Sequence, residues 1–188
     1  MAKREWKAGN MLYPLPAVMV SVTDGEGNDN IITIAWAGTI SSDPAMVAIS
    51  VRPIRHSYEM IKKTGEFVIN LTTEELAYAT DWCGVKSGRD VDKWKEMGLT
   101  KEASSYVQAP MIAEAPISIE CKVTKMEELG VHHMFLAEVV AVHADEKYID
   151  ENDTFQLGDA KPLVFSHGEY YGMGEKIGKF GYSVKKKK

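Results

Sequence analysis

Hydrophobic positions in this chain recur mostly with a period of two. In "AVMVSVTDGEGN", Val18, Val20 and Val22 alternate with their neighbours and Gly25 and Gly27 follow, which predicts a strand and a turn. "NIITIAW" predicts a second strand, "AGTISSDP" an irregular loop and "AMVAISV" a third strand. Three short strands in close succession, with no helix between them, favour an antiparallel sheet or barrel. "EFVINL" predicts another strand. In "ISIECKVTK", Ile117, Ile119, Cys121 and Val123 face one way, and Ser118, Glu120, Lys122 and Thr124 face the other. "HHMFLAEVVAVHAD" is apolar on both faces over much of its length, the pattern of a central or interface strand. "PLVFSHGEYYGMG" predicts a last strand and turn.

Helical signals are fewer. "SYEMIKKTG" opens on Ser57 as an N-cap, carries Glu59 in its first turn and Lys62 and Lys63 in its last, and stops at Gly65. "TTEELAYATDWCG" has Thr72 and Glu75 at capping-box spacing and closes at Gly84. "VKSGRDVDKWKEMGLT" is polar and predicts a loop with a helical turn, and "APMIAEAP" an extended connector. No repeat and no linker interrupts the pattern. The chain is expected to be mainly β: one domain over residues 1–188, a small barrel decorated by a few short helices.

Composition narrows the function. The 188 residues suit one sizeable core, and 45% hydrophobic with 26% charged residues is ordinary for a globular protein. The net charge of −5 argues against nucleic acid as a partner. No apolar run reaches the length of a bilayer span, and "MAKREWKAGN" has no apolar leader core, so no membrane partner and a cytoplasmic location are expected. Cys83 and Cys121 lack zinc or redox spacing and are expected to be reduced core thiols. The 185–188 lysine run is expected to be a solvated tail.

Within this acidic chain, "SVRPIRHSYEMI" gathers Arg52, Arg55, His56 and Ser57 at a helix start. Unpaired helix N–H groups and arginine forks together suit a phosphate, whereas a capped helix with solvated charges is the plainer alternative. "AWAGTISSDPAM" places small residues between two strands, where backbone N–H groups can approach a flat ligand. "GMGEKIG" has glycines too widely spaced for a dinucleotide fold. Adjacent His132 and His133 point to opposite faces of a strand and cannot share a metal, so no metal site is expected. These residues imply a phosphate-bearing, planar ligand in a barrel and do not by themselves define a reaction.

The string "NIITIAWAGTISSDPAMVAISVRPIRHSYEMIKKTGEFVINL" resembles the FMN-binding split-barrel flavin reductases, in particular the flavoredoxins of anaerobes. "LYPLPAVMVSV", "DWCGVKSGRDVDKW", "APMIAEAPISIECKV", "ELGVHHMFLAEVV" and "YYGMGEKIGK" extend the likeness along nearly the whole chain. The resemblance implies a six-stranded Greek-key split barrel and a homodimer with FMN near the subunit interface. It assigns Asn30, Thr33, Trp36, Ala37, Gly38, Thr39, Ser41 and Ser42 to the isoalloxazine. It assigns Ser50, Arg52, Pro53, Arg55, His56, Ser57 and Lys93 to the ribityl phosphate. His132 is expected to position nicotinamide or to supply local positive charge. Two departures are Asp43-Pro44-Ala45 in place of a double proline, and Ala137 in place of a glycine, which would narrow the approach to the flavin. Three functions are open: an NAD(P)H-dependent FMN reductase, an FMN electron-transfer protein serving a redox partner protein, and a non-redox barrel for another phosphorylated ligand.

Overall fold

The computed structural model describes residues 1–184, so the 185–188 lysine run lies outside the described residues. Along the chain run β1 (Leu15–Pro16), β2 (Val18–Thr23), β3 (Asp29–Ile34), β4 (Ala37–Ser42), β5 (Ala45–Val51), α1 (His56–Thr64), β6 (Glu66–Leu71), α2 (Ala77–Val85) and α3 (Lys93–Met97). Then follow β7 (Lys101–Glu102), β8 (Met111–Ile112), β9 (Ile117–Leu129), β10 (His132–Ala144), β11 (Leu163–Ser166) and β12 (Glu169–Gly172). Seven strands make one antiparallel sheet in the order β3-β2-β6-β9-β10-β5-β4. β1, β11 and β12 form a small side sheet.

The sheet is curled on itself. β3 and β5 are not neighbours in it, yet Ile32 and Ile34 of β3 share one buried cluster with Val47, Ile49 and Val51 of β5. Val18, Val20, Phe67, Ile69, Cys121 and Phe135 complete that cluster, and α1 closes it with Tyr58 and Ile61. Each such side chain contributes roughly 1.5–3 kcal/mol by leaving water. Six strands thus enclose the core, and β4 extends the sheet as a seventh, outer strand. A second cluster buries Met19 and Ile31 against Leu76, Ala79 and Cys83 around α2 and Trp94 of α3.

Several local expectations change. "AGTISSDP" is not an irregular loop: residues 37–42 form β4, paired with β5 through a bulge between Thr39 and Ser41. Small residues conceal a strand signal, because β4 is an edge with little to bury. Ser57 does not cap α1; Arg55 is the cap residue, with no side-chain bond, and Ser57 lies buried inside the first turn. Gly65 does end that helix, in the left-handed conformation with φ 70°. The Thr72/Glu75 capping box is absent. Thr73 accepts the Leu76 N–H at 3.3 Å, and the Thr72 hydroxyl donates to the Ala17 carbonyl.

The polar face of β9 is not solvated at its start. Glu120 is fully buried and accepts N–H groups of Ser105 (2.7 Å), Tyr106 (2.6 Å) and Val107 (3.0 Å), with His143 Nε2 at 2.6 Å. Burial works to raise its pKa, but these bonds outweigh it and hold the carboxyl below its ordinary value. Period two reports which way a side chain points, and a loop folded over both faces overrides the usual meaning of the polar one. Ala137 is buried in the barrel core, so it is taken up by packing and does not narrow a ligand cavity. Cys83 and Cys121 are buried and free.

Candidate functional site

The ends of β3 and β5, the start of α1 and the C-terminal part of α2 meet around two adjacent cavities. The first, about 290 Å³, is walled by Thr33, Ile34, Ala35 and Trp36 on one side and Ser50, Val51, Arg52, Arg55 and His132 on another. Asp81, Gly84 and Val85 of α2 and Phe165 and Tyr170 of the side sheet close it. The second, about 170 Å³, is lined by Asn30, Arg55, His56, Ser57, Lys86, Ser87, Gly88, Arg89 and Lys93, among others. Ile32, Arg55 and Gly84 line both, so the cavities are adjacent.

The second cavity is basic and has no acidic lining residue. Among the described residues, none of Arg52, Arg55, Arg89 or Lys93 forms an ion pair. The Arg55 N–H closes a tight turn on the Arg52 carbonyl at 2.9 Å, which sets both guanidinium stems at the head of α1. Arg89 donates to the Ile54 carbonyl at 3.1 Å. Lys93 is buried and donates at 2.7 Å to the carbonyls of Ile31 and Cys83. Burial lowers its pKa to about 8 against an opposing effect of Cys83, with a smaller lowering by Arg55. His56 is lowered by burial, then by Arg89 and Lys93. The helix adds its own positive end to this field.

Asn30 and Ser57 form the floor: Asn30 Nδ2 donates to Ser57 Oγ at 2.9 Å, which leaves the Ser57 O–H free to donate. A Cβ built on Gly88 would overlap the Asn30 amide, so only glycine lets this loop seat against β3. Thr33 donates to the Thr80 carbonyl at 2.5 Å, tying α2 to the same strand.

In the first cavity, Trp36 and His132 are parallel within 2°, with centroids 6.0 Å apart. The Ser50 N–H donates to the Trp36 carbonyl at 2.8 Å, joining the two sides. His133 points the other way, to the Tyr58 hydroxyl at 2.7 Å. Burial, then Arg52 and Arg55, lower the His132 pKa, which works against its carrying a positive charge.

Of the expected residues, Asn30, Thr33, Trp36, Ser50, Arg52, Arg55, His56, Ser57, Lys93 and His132 converge on these cavities. Ala37 and Gly38 instead line an outer groove under residues 9–15. Thr39, Ser41, Ser42 and Pro53 line neither cavity of the pair. The first three lie along β4, where an irregular loop was expected. Sequence reasoning missed Asp81, Gly84, Ser87, Gly88, Arg89 and Tyr170. The glycines and Arg89 of "CGVKSGRD" were the available signal; nothing local marks Asp81 or Tyr170.

The architecture and the cavity define a split barrel of the flavin reductase-like class. The Flavin reductase like domain profile matches residues 11–174, and the chain belongs to that flavin-binding family. A flavoredoxin of Desulfovibrio vulgaris (Miyazaki F) superposes with a TM-score of 0.91 at 30% identity, covering 98% of this chain and 100% of that one. An uncharacterized protein of Pyrococcus abyssi is 35% identical over 70% of this chain and 74% of its own length. An NADH-dependent FMN reductase of Streptomyces nodosus subsp. asukaensis is 25% identical over 89% of this chain and 83% of its own length.

Proposed function

We propose that this protein is an FMN-dependent flavin reductase that oxidises NAD(P)H and passes the electrons on. One observation carries the reading: a cavity with four cationic side chains and no carboxylate, at a helix N-terminus, adjoins a cavity walled by rings. A phosphate monoester carries about −1.5 to −2 charges at neutral pH, so it fits this uncompensated field. FMN joins such a phosphate to a planar ring.

Bound FMN supplies a ring that accepts hydride from nicotinamide. The chain's own residues bind and orient. Arg55, Arg89, Lys93 and the Ser57 hydroxyl hold the phosphate. Trp36, in the bend between β3 and β4, holds the ring. No protein base is needed for hydride transfer. His132, a ring stacked on Trp36, positions the nicotinamide. His132→Ala should therefore slow flavin reduction by NAD(P)H in stopped flow and leave FMN affinity near wild type. A loss of FMN in that variant would make His132 a cofactor ligand instead.

The flavoredoxin similarity favours a second reading, an FMN electron-transfer protein that serves a redox partner and does not oxidise NAD(P)H itself. An anaerobic titration separates the two. Flavin colour bleached by NADH or NADPH supports the reductase, and colour that persists favours the carrier. Protein that binds no flavin at all returns the cavity to a barrel for another phosphorylated ligand.

A further inference from the structure

Asp81 is the single acidic residue lining the first cavity. It sits on α2, and Tyr170 of β12 lines the same wall. Among the described residues Asp81 has no cationic partner. Tyr170 is braced by Phe165, which is its cross-strand partner and packs edge-on at 5.6 Å. Burial, then the nearby Asp81 carboxylate, push the Tyr170 pKa up to about 12. At neutral pH the wall thus presents a hydrogen-bond acceptor and a protonated donor side by side. Arg52 and Arg55 line the same cavity, so its polar lining carries both signs of charge.

We propose that Asp81 and Tyr170 recognise the hydrogen-bonding edge of the flavin ring and set its midpoint potential, Asp81 lowering it and Tyr170 raising it. The proposal rests on the FMN reading of the cavity. The pyrimidine edge of a flavin carries an N–H between two carbonyl oxygens. A carboxylate accepts that N–H and a neighbouring phenol donates to a carbonyl, so an adjacent acceptor and donor match it. Reduction places negative charge on this part of the ring. A fixed carboxylate opposes the added charge, and an O–H donor stabilises it.

The two groups therefore act with opposite sign, which a purely structural pair would not do. The test is a dye-linked reductive titration of FMN-loaded wild type, Asp81→Asn and Tyr170→Phe, with FMN affinity of each measured in the oxidised state. Asp81→Asn should shift the preference for reduced over oxidised FMN upward about tenfold, a rise of about 30 mV for a two-electron couple. Tyr170→Phe should shift it downward. Wild-type potentials in both variants, or shifts of the same sign, overturn this assignment alone. A wild type that binds no FMN overturns the cavity reading and the assignment with it.

Discussion

Lys93 donates two of its three N–H groups to the carbonyls of Ile31 and Cys83, which offsets part of the cost of burying its charge. Its charge is useful only when an anion arrives. The group titrates near 10.5 in the unfolded chain and about 8 in the folded, ligand-free protein. Between those values the unfolded chain binds more protons, so stability of the ligand-free protein should rise with pH from about 8 to 10.5. FMN affinity should move the other way, because the phosphate needs the protonated amine. It should be highest below pH 8 and weaken above it, and Lys93→Met should flatten that dependence. Fluorescence titrations of FMN on either side of pH 8 check this; an unchanged profile in Lys93→Met removes Lys93 from the phosphate site.

At the scale of elements, the site is a seam between β3 and the α2 region. Thr33 ties α2 by its Thr80 bond, Gly84 approaches Thr33 so closely that an added Cβ would lie 3.2 Å away, and Gly88 sits against Asn30. Gly88→Ala should force Asn30 off Ser57 and cost about 1–3 kcal/mol, the usual penalty of overpacking. Denaturant melts should show that loss, and FMN affinity should fall with it, because Ser57 loses its fixed orientation. Normal stability with normal affinity would mean that the loop seats elsewhere. Local propensity placed α1 and its Gly65 stop correctly. It misassigned Ser57, since a serine that caps and a serine buried one turn inside look alike in sequence, and only the Asn30 contact distinguishes them.

For the whole molecule, the apolar strand β10 is only half satisfied by its own chain. Phe135 and Ala137 face the core, while Val142 is 57% exposed and Leu129 and Val131 at the β9–β10 tip are 54% and 69% exposed. Ile40 on β4 is also exposed. We propose that a second copy covers this surface, since a small barrel has only one core in which to hide apolar residues. Sedimentation should give a dimer, and Val142→Lys with Val131→Glu should shift it toward monomer. A wild-type monomer that retains FMN at low concentration would exclude the proposal.

Alternation of apolar residues and short turns determined the antiparallel barrel, because burial on one face of a strand is a local property with a period of two. The basic and polar cluster from Arg52 to Ser57 was legible as one group for a similar reason: its residues are contiguous, and one turn and one helix start hold them together. Four other features depend on segments distant in the chain. Glu120 is buried because a loop 15 residues away folds over it. Residues 37–42 became a strand because β5 offered a ladder. Arg89 entered the basic cavity, and Asp81 met Tyr170, because α2 and its following loop pack across β3 and the side sheet folds back over it. No local pattern encodes such meetings. Only closing the sheet brings those atoms within range, and interactions that decay over a few ångströms arise only then.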